Sequence, residues 1–190
     1  MLRPVRVGEP VAPILTLADA KAACNVELDH QDELIGNLVR AAASHLDGYS
    51  GILGRCMVTQ TWRYGFSSLA GRIALVMPDA QSIVAATYRD PNGAGQTIVP
   101  ELFRIEEEAA GAVLTYVGAS LGVERVAYPF SIDIKFGYGV AAQVPEVLRT
   151  ACRLMVAHWF NQLMLGNAEA LQAPPAMAEG MIAPFRWRSI

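Results

Sequence analysis

The stretch VPEVLRTACRLMVAHWFNQL, residues 144–163, predicts a helix that is apolar on almost every side. Pro145 and Glu146 suit a first turn, where a missing N–H and a negative charge are both tolerated. Val147, Leu148, Ala151, Leu154, Met155, His158 and Trp159 form one stripe. Cys152, Val156, Phe160 and Leu163 carry it round the cylinder, and Arg149, Thr150 and Arg153 are the main polar break. A surface helix needs an apolar face only about 100° wide. A helix over 144–165 therefore asks for cover on two sides.

Working outward, residues 1–14 read as an extended arm punctuated by Pro4, Pro10 and Pro13. A helix over 16–26 follows, with Thr16 as N-cap and Asp19 three positions on, a near match to a capping box. Leu17, Ala20, Ala23 and Cys24 can share one face of it. A longer helix over 29–50 repeats Leu34, Ile35, Leu38, Ala41, Ala42, His45, Leu46 and Tyr49 at threes and fours, with Gly48 and Gly51 to end it. Between 57 and 138 the period changes to two. MVTQTWRYGF puts Val58, Gln60, Trp62, Tyr64 and Phe66 on one side, and FSIDIKF alternates Phe130, Ile132, Ile134 and Phe136 with polar residues. RIALVMP, SIVAATYRD, TIVPELFRIEEE and AVLTYV are further strands, and DPNGAGQ is a hairpin tip.

Residues 166–190 contain Pro174, Pro175 and Pro184 and show no apolar periodicity, so they read as an extended tail. Met181, Ile182, Phe185 and Trp187 are too apolar to stay in water, so the tail is expected to dock on another surface or to fold back on its own domain. The fold class is α+β: two N-terminal helices and a long C-terminal helix in a bundle, an inserted small antiparallel β region, and the tail.

Composition narrows the function. Hydrophobic residues make up 53% and charged residues 17% of 190, enough for a substantial core. No run of about 20 uninterrupted apolar residues predicts a membrane span, and no secretion signal is read at the N-terminus. The net charge of −3 offers no basic stripe for nucleic acid. Cys24, Cys56 and Cys152 are far apart among apolar neighbours and predict reduced, buried thiols.

Motifs for chemistry are scarce. His45 and His158 lie on apolar helix faces, and no HxxxH or HExxH pattern accompanies them or His30. NGAGQ lacks the Lys-Ser/Thr of a phosphate loop, and Glu106, Glu107 and Glu108 read as a solvated turn rather than an acid–base pair. No catalytic residue, cofactor or metal is predicted.

The order of segments resembles the head–tail connector, or adaptor, family of long-tailed phages. The matching pieces are LADAK at 17–21, DELI at 32–35, AAA at 41–43 and TQTW at 59–62. LVMPDAQSIVAATYRDPNGAGQTI, IDIKFGYGVAAQVPEVLRTACRLMVAHWFNQ and the closing GMIAPFRW extend the similarity over 14–188. Asp19 stands where the family usually has Glu, Asn25-Val26 depart from its usual run, and Phe136-Gly137 lacks one residue before the Gly-Tyr-Gly. Gene transfer agents, domesticated phage-like particles, carry similar proteins.

The resemblance implies a structural virion protein and no enzyme. Its expected state is a ring, dodecameric like the portal beneath which it assembles. Through that ring double-stranded DNA passes without sequence-specific binding, inside a phage-like particle assembled in the bacterial cytoplasm. It divides the chain into an arm (1–14), a connector domain (15–165) and a docking tail (166–190). Leu148, Cys152, Met155, Val156, Trp159 and Phe160 would meet the neighbouring subunit. Met181, Ile182, Phe185, Arg186, Trp187 and Arg188 would dock on the portal, and the β region would face a tail-side stopper protein. The competing readings are another completion ring such as a stopper or tail terminator, a small enzyme with a non-local site, and a helical binding module of a host pathway.

Overall fold

Alternation at two and periodicity at three and four build two units, which the computed structural model describes for residues 1–108, 111–166 and 174–187. The β unit comprises Met1–Val11 and Thr59–Tyr138, and the helical unit Ala12–Val58 and Gly139–Trp187.

In the β unit, β2 (Gln60–Phe66) pairs with β8 (Phe130–Phe136) along its whole length. Trp62, Tyr64 and Phe66 face the same side as Phe130, Ile132, Ile134 and Phe136, and all seven are buried. Tyr64 stacks on Phe66 at 5.9 Å and meets Phe136 at 5.7 Å, separations at which aromatic pairs attract. β1 (Val5–Gly8), β4 (Ala80–Arg89) and β5 (Gly95–Ile98) complete an antiparallel five-stranded sheet of order β1-β2-β8-β4-β5. A second, three-stranded sheet runs β3 (Arg72–Ala74), β7 (Gly111–Tyr116), β6 (Phe103–Glu108), with Ala112, Val113 and Leu114 in its core. At the β4–β5 turn the Asp90 carboxylate accepts from the N–H groups of Asn92 and Ala94.

In the helical unit α1 is Leu17–Cys24. The Thr16 hydroxyl accepts from the Asp19 N–H at 3.1 Å, and the Asp19 carboxylate returns the bond to the Thr16 backbone, a complete capping box. The Thr16 hydroxyl also donates to the Asp19 carboxylate at 2.7 Å, and this side-chain bond above all holds the Asp19 carboxyl below its ordinary range. Asn25 ends α1 in the left-handed region at φ 54°. Lys21 donates to Asp29 and Asp32 at 2.7 Å each, tying α1 to the start of α2 (Asp32–Leu46). The long helix α3 spans Glu146–Met164, and a fourth helix, α4, spans Ala176–Ile182. α3 contacts α1, α2 and α4.

Several segments depart from, or add to, what the sequence predicts. The arm, read as extended, is extended at Val5–Gly8, which joins the five-stranded sheet as its edge. The second helix is shorter than 29–50: its start is a 3-10 turn, Asp29–Gln31, and Gly48 at φ 78° follows the extended Asp47, whose carboxylate accepts from the Met57 N–H. Over its described residues 174–187 the tail is not extended, because α4 lies against α3 with Ala178 and Ile182 fully buried. The Trp187 N–H then donates to the Leu53 carbonyl at 2.7 Å. Gly54 permits this approach: its φ is 63°, and a Cβ there would sit 2.6 Å from the Trp187 oxygen. Glu106–Glu108 also differ from the expected turn, lying on β6, where Glu106 and Glu108 pair with Arg72 and Glu107 accepts from the Ala80 N–H.

Two outcomes check these contacts. Ile182→Ala leaves a cavity beside α3 and is expected to cost about 2–5 kcal/mol in denaturant unfolding; a change within about 0.5 kcal/mol would mean that α4 does not pack there. Cys24, Cys56 and Cys152 are all buried, and burial pushes the Cys152 thiol up to about 12. A thiol reagent at pH 8 should modify none of the three in the native chain and all of them in denaturant, and rapid native labelling of Cys152 would contradict the packing of α3.

Candidate functional site

The surfaces left over by α3 are set by which of its residues the chain covers itself. Leu148, Ala151, Cys152, Met155 and Val156 are fully buried, and Trp159 and Phe160 nearly so. The six residues expected to meet a neighbouring subunit thus lie inside the chain's own helical unit. α3 is packed by α1, α2 and also α4, the last an element not expected from the sequence. The polar break is self-contained: Arg153 reaches the Glu146 carboxylate at 2.6 Å and Arg149 pairs with the same group. Arg153 first, then Arg149, hold that carboxyl below the usual range.

What stays exposed is apolar. At the end of α3, Met164 is 51% and Leu165 78% exposed, and on other segments of the unit Leu28 is 67% and Met177 68% exposed. Gln31 donates its amide to the Met164 sulfur at 3.6 Å, which brings the segment after Leu28 to the end of α3. Met164 and Leu165 adjoin, and adjoining exposed apolar side chains mark a contact surface more readily than scattered single ones do. None of the four was singled out from sequence; the available signal was the Met164-Leu165 pair just before Gly166.

The tail residues are now placed. Ile182 is buried, while Met181, Phe185, Arg186 and Trp187 are half-buried. Arg188 lies outside the described residues. Arg186 Nε and Trp187 Nε1 find no acceptor among the described residues. The histidines do not converge: His45 meets Trp159 edge-on at 6.3 Å, and His158 is half-buried on α3. Among the described residues no group of three or more His, Cys, Asp or Glu is placed to hold a metal ion, and no helix is long and apolar enough to cross a membrane.

Comparison with known proteins gives three findings. None of the curated proteins matches the chain in sequence. Residues 14–86 match the family described as "Phage gp6-like head-tail connector protein". Among solved structures, a chain in "Neck of empty GTA particle computed with C6 symmetry" is similar over 100% of this chain and 97% of its own length, at 17% identity and a TM-score of 0.77. A chain in "Virion of native gene transfer agent (GTA) particle" has the same identity, coverage and TM-score. A chain in "Neck of native GTA particle computed with C12 symmetry" is 18% identical over 97% of both chains, with a TM-score of 0.66. The structural likeness shows a shared mixed α and β fold. Residues 14–86 are thus similar to the phage gp6-like head–tail connector family, and the whole chain shares its fold with a chain found in gene transfer agent particles.

Proposed function

We propose that the chain is a ring-forming subunit of the neck of a phage-like particle, set between portal and tail, where it extends the DNA channel and joins the filled head to the tail. The observation that carries the reading is the coincidence of two likenesses on the same residues. The segment that matches the connector family, 14–86, lies within a fold shared end to end with a chain of a gene transfer agent neck. Necks described with C6 and C12 symmetry agree with a ring of twelve copies.

A subunit in a closed ring meets its neighbours through two different surfaces. With the buried residues of α3 already covered, the contact moves to the exposed apolar set: Leu28, Met164, Leu165 and Met177. The portal contact falls to the outer sides of Met181, Phe185, Arg186 and Trp187, where aromatic and arginine side chains supply anchors. A net charge of −3 per copy, repeated round the channel, disfavours adhesion of passing phosphates. The location is then the particle itself, after assembly in the bacterial cytoplasm.

Electron microscopy of particles from a strain lacking the chain tests this. DNA-filled or leaking heads separate from tails are expected, and intact tailed particles would contradict it. Leu165→Glu with Met177→Glu should leave the monomer's circular dichroism unchanged and abolish its incorporation into necks; normal incorporation would remove these residues from the ring contact.

A further inference from the structure

The five-stranded sheet is open at both ends. Its order, β1-β2-β8-β4-β5, leaves β1 and β5 each with a strand on one side and, among the described residues, none on the other. The outer side of such a strand presents backbone N–H and C=O groups with no ladder partner, a template for a further strand. The two ends match in length: β1 is Val5–Gly8 and β5 is Gly95–Ile98, four residues each. Pro4 and Pro10 bracket the first, and Pro100 follows close after the second. Proline has no N–H to give a ladder, so added pairing is confined to these short stretches.

Both ends also carry uncovered apolar side chains. On β1, Val5 is 61% and Val7 44% exposed. At the other end Val99, next after β5, is 54% exposed. Val84 of β4 is 48% exposed, two residues before the pairing of β4 with β5 begins at Ala86. Gly95, Gln96 and Thr97 of β5 are exposed as well. A chain that kept both ends in water would hold two unpaired edges and two apolar margins at once.

We propose that a second copy of this chain occupies each end: β5 of one copy pairs with β1 of the next, so that the sheets run on round the ring. The inference rests on the ring reading above and adds a contact in the β unit to the one in the helical unit. A foreign partner at one end would leave the other open. Identical copies related by rotation cover both ends with one kind of contact, because a ring interface joins two different surfaces of the same chain. Topology sets the direction of the pairing. All four pairings within the sheet are antiparallel, so β1 and β5, four steps apart, run the same way. The rotation from one copy to the next in such a ring is small, so β1 of the next copy keeps nearly that direction and meets β5 parallel. A two-fold dimer would instead join β1 to β1, or β5 to β5.

Introduced cysteines test this, because the three native thiols are buried. Val5→Cys and Thr97→Cys, both at exposed positions, are made singly and together, and purified particles are treated with a short bis-maleimide. Particles built with the double variant should give a ladder of cross-linked chains. Particles built from a mixture of the two single variants should give cross-linked pairs containing one of each, and either single variant alone should give none. Pairs formed within a single variant, or double-variant copies that sit in necks and do not cross-link, would overturn the proposal. In the unaltered chain the outward-pointing amides of β1 and β5 should exchange about tenfold or more slowly in necks than in the free chain; equal exchange would overturn it as well. Those failures leave the connector reading standing, whereas absence of the unaltered chain from particles removes that reading itself.

Discussion

A helix apolar all round must be covered all round, and the covering of α3 organises this molecule. Each large side chain fully removed from water contributes about 1.5–3 kcal/mol. α3 withdraws Leu148, Met155, Val156, Trp159 and Phe160 at once. Helices α1 and α2 cannot surround a cylinder, so a third element is needed, and the chain supplies it from its own C-terminal segment as α4. The Thr16–Asp19 capping box and the Lys21 bridges to Asp29 and Asp32 then fix how the first two helices enter this arrangement.

This resolves the tension in the α3 sequence differently from the first expectation. A neighbouring copy is not required to sheath the helix, because an intramolecular partner does so at high effective concentration. What remains for assembly is smaller and sits at the margins: an exposed Met164-Leu165 end, Leu28, Met177, and the half-buried side chains of the last described turn. A subunit finished in its core and unfinished at its rim is suited to fold before it assembles.

Much of this was legible from residues 14–163. Strict alternation in 60–66 and 130–136 identified the central strand pair, and Thr16 marked the first helix start. Other features were not legible, for physical reasons. α4 has seven residues, including Gly180, too short for periodicity to emerge and too short to be stable without the surface of α3. β1 is four residues between Pro4 and Pro10, and only its pairing with β2 makes it a strand. Register, which aligns Gly65, Ser131 and Thr87 in one row, depends on pairings between distant segments that no local pattern states. Burial of the six α3 residues followed from composition, but which molecule buries them did not.

Native-state hydrogen exchange on the isolated chain reports whether α3 and α4 are one cooperative structure. The α4 amides, and that of Trp187 bonded to Leu53, are expected to be protected in the free monomer and to open together with the middle of α3. Exchange of residues 176–187 at the rate of an unstructured peptide, with α3 still protected, would contradict it.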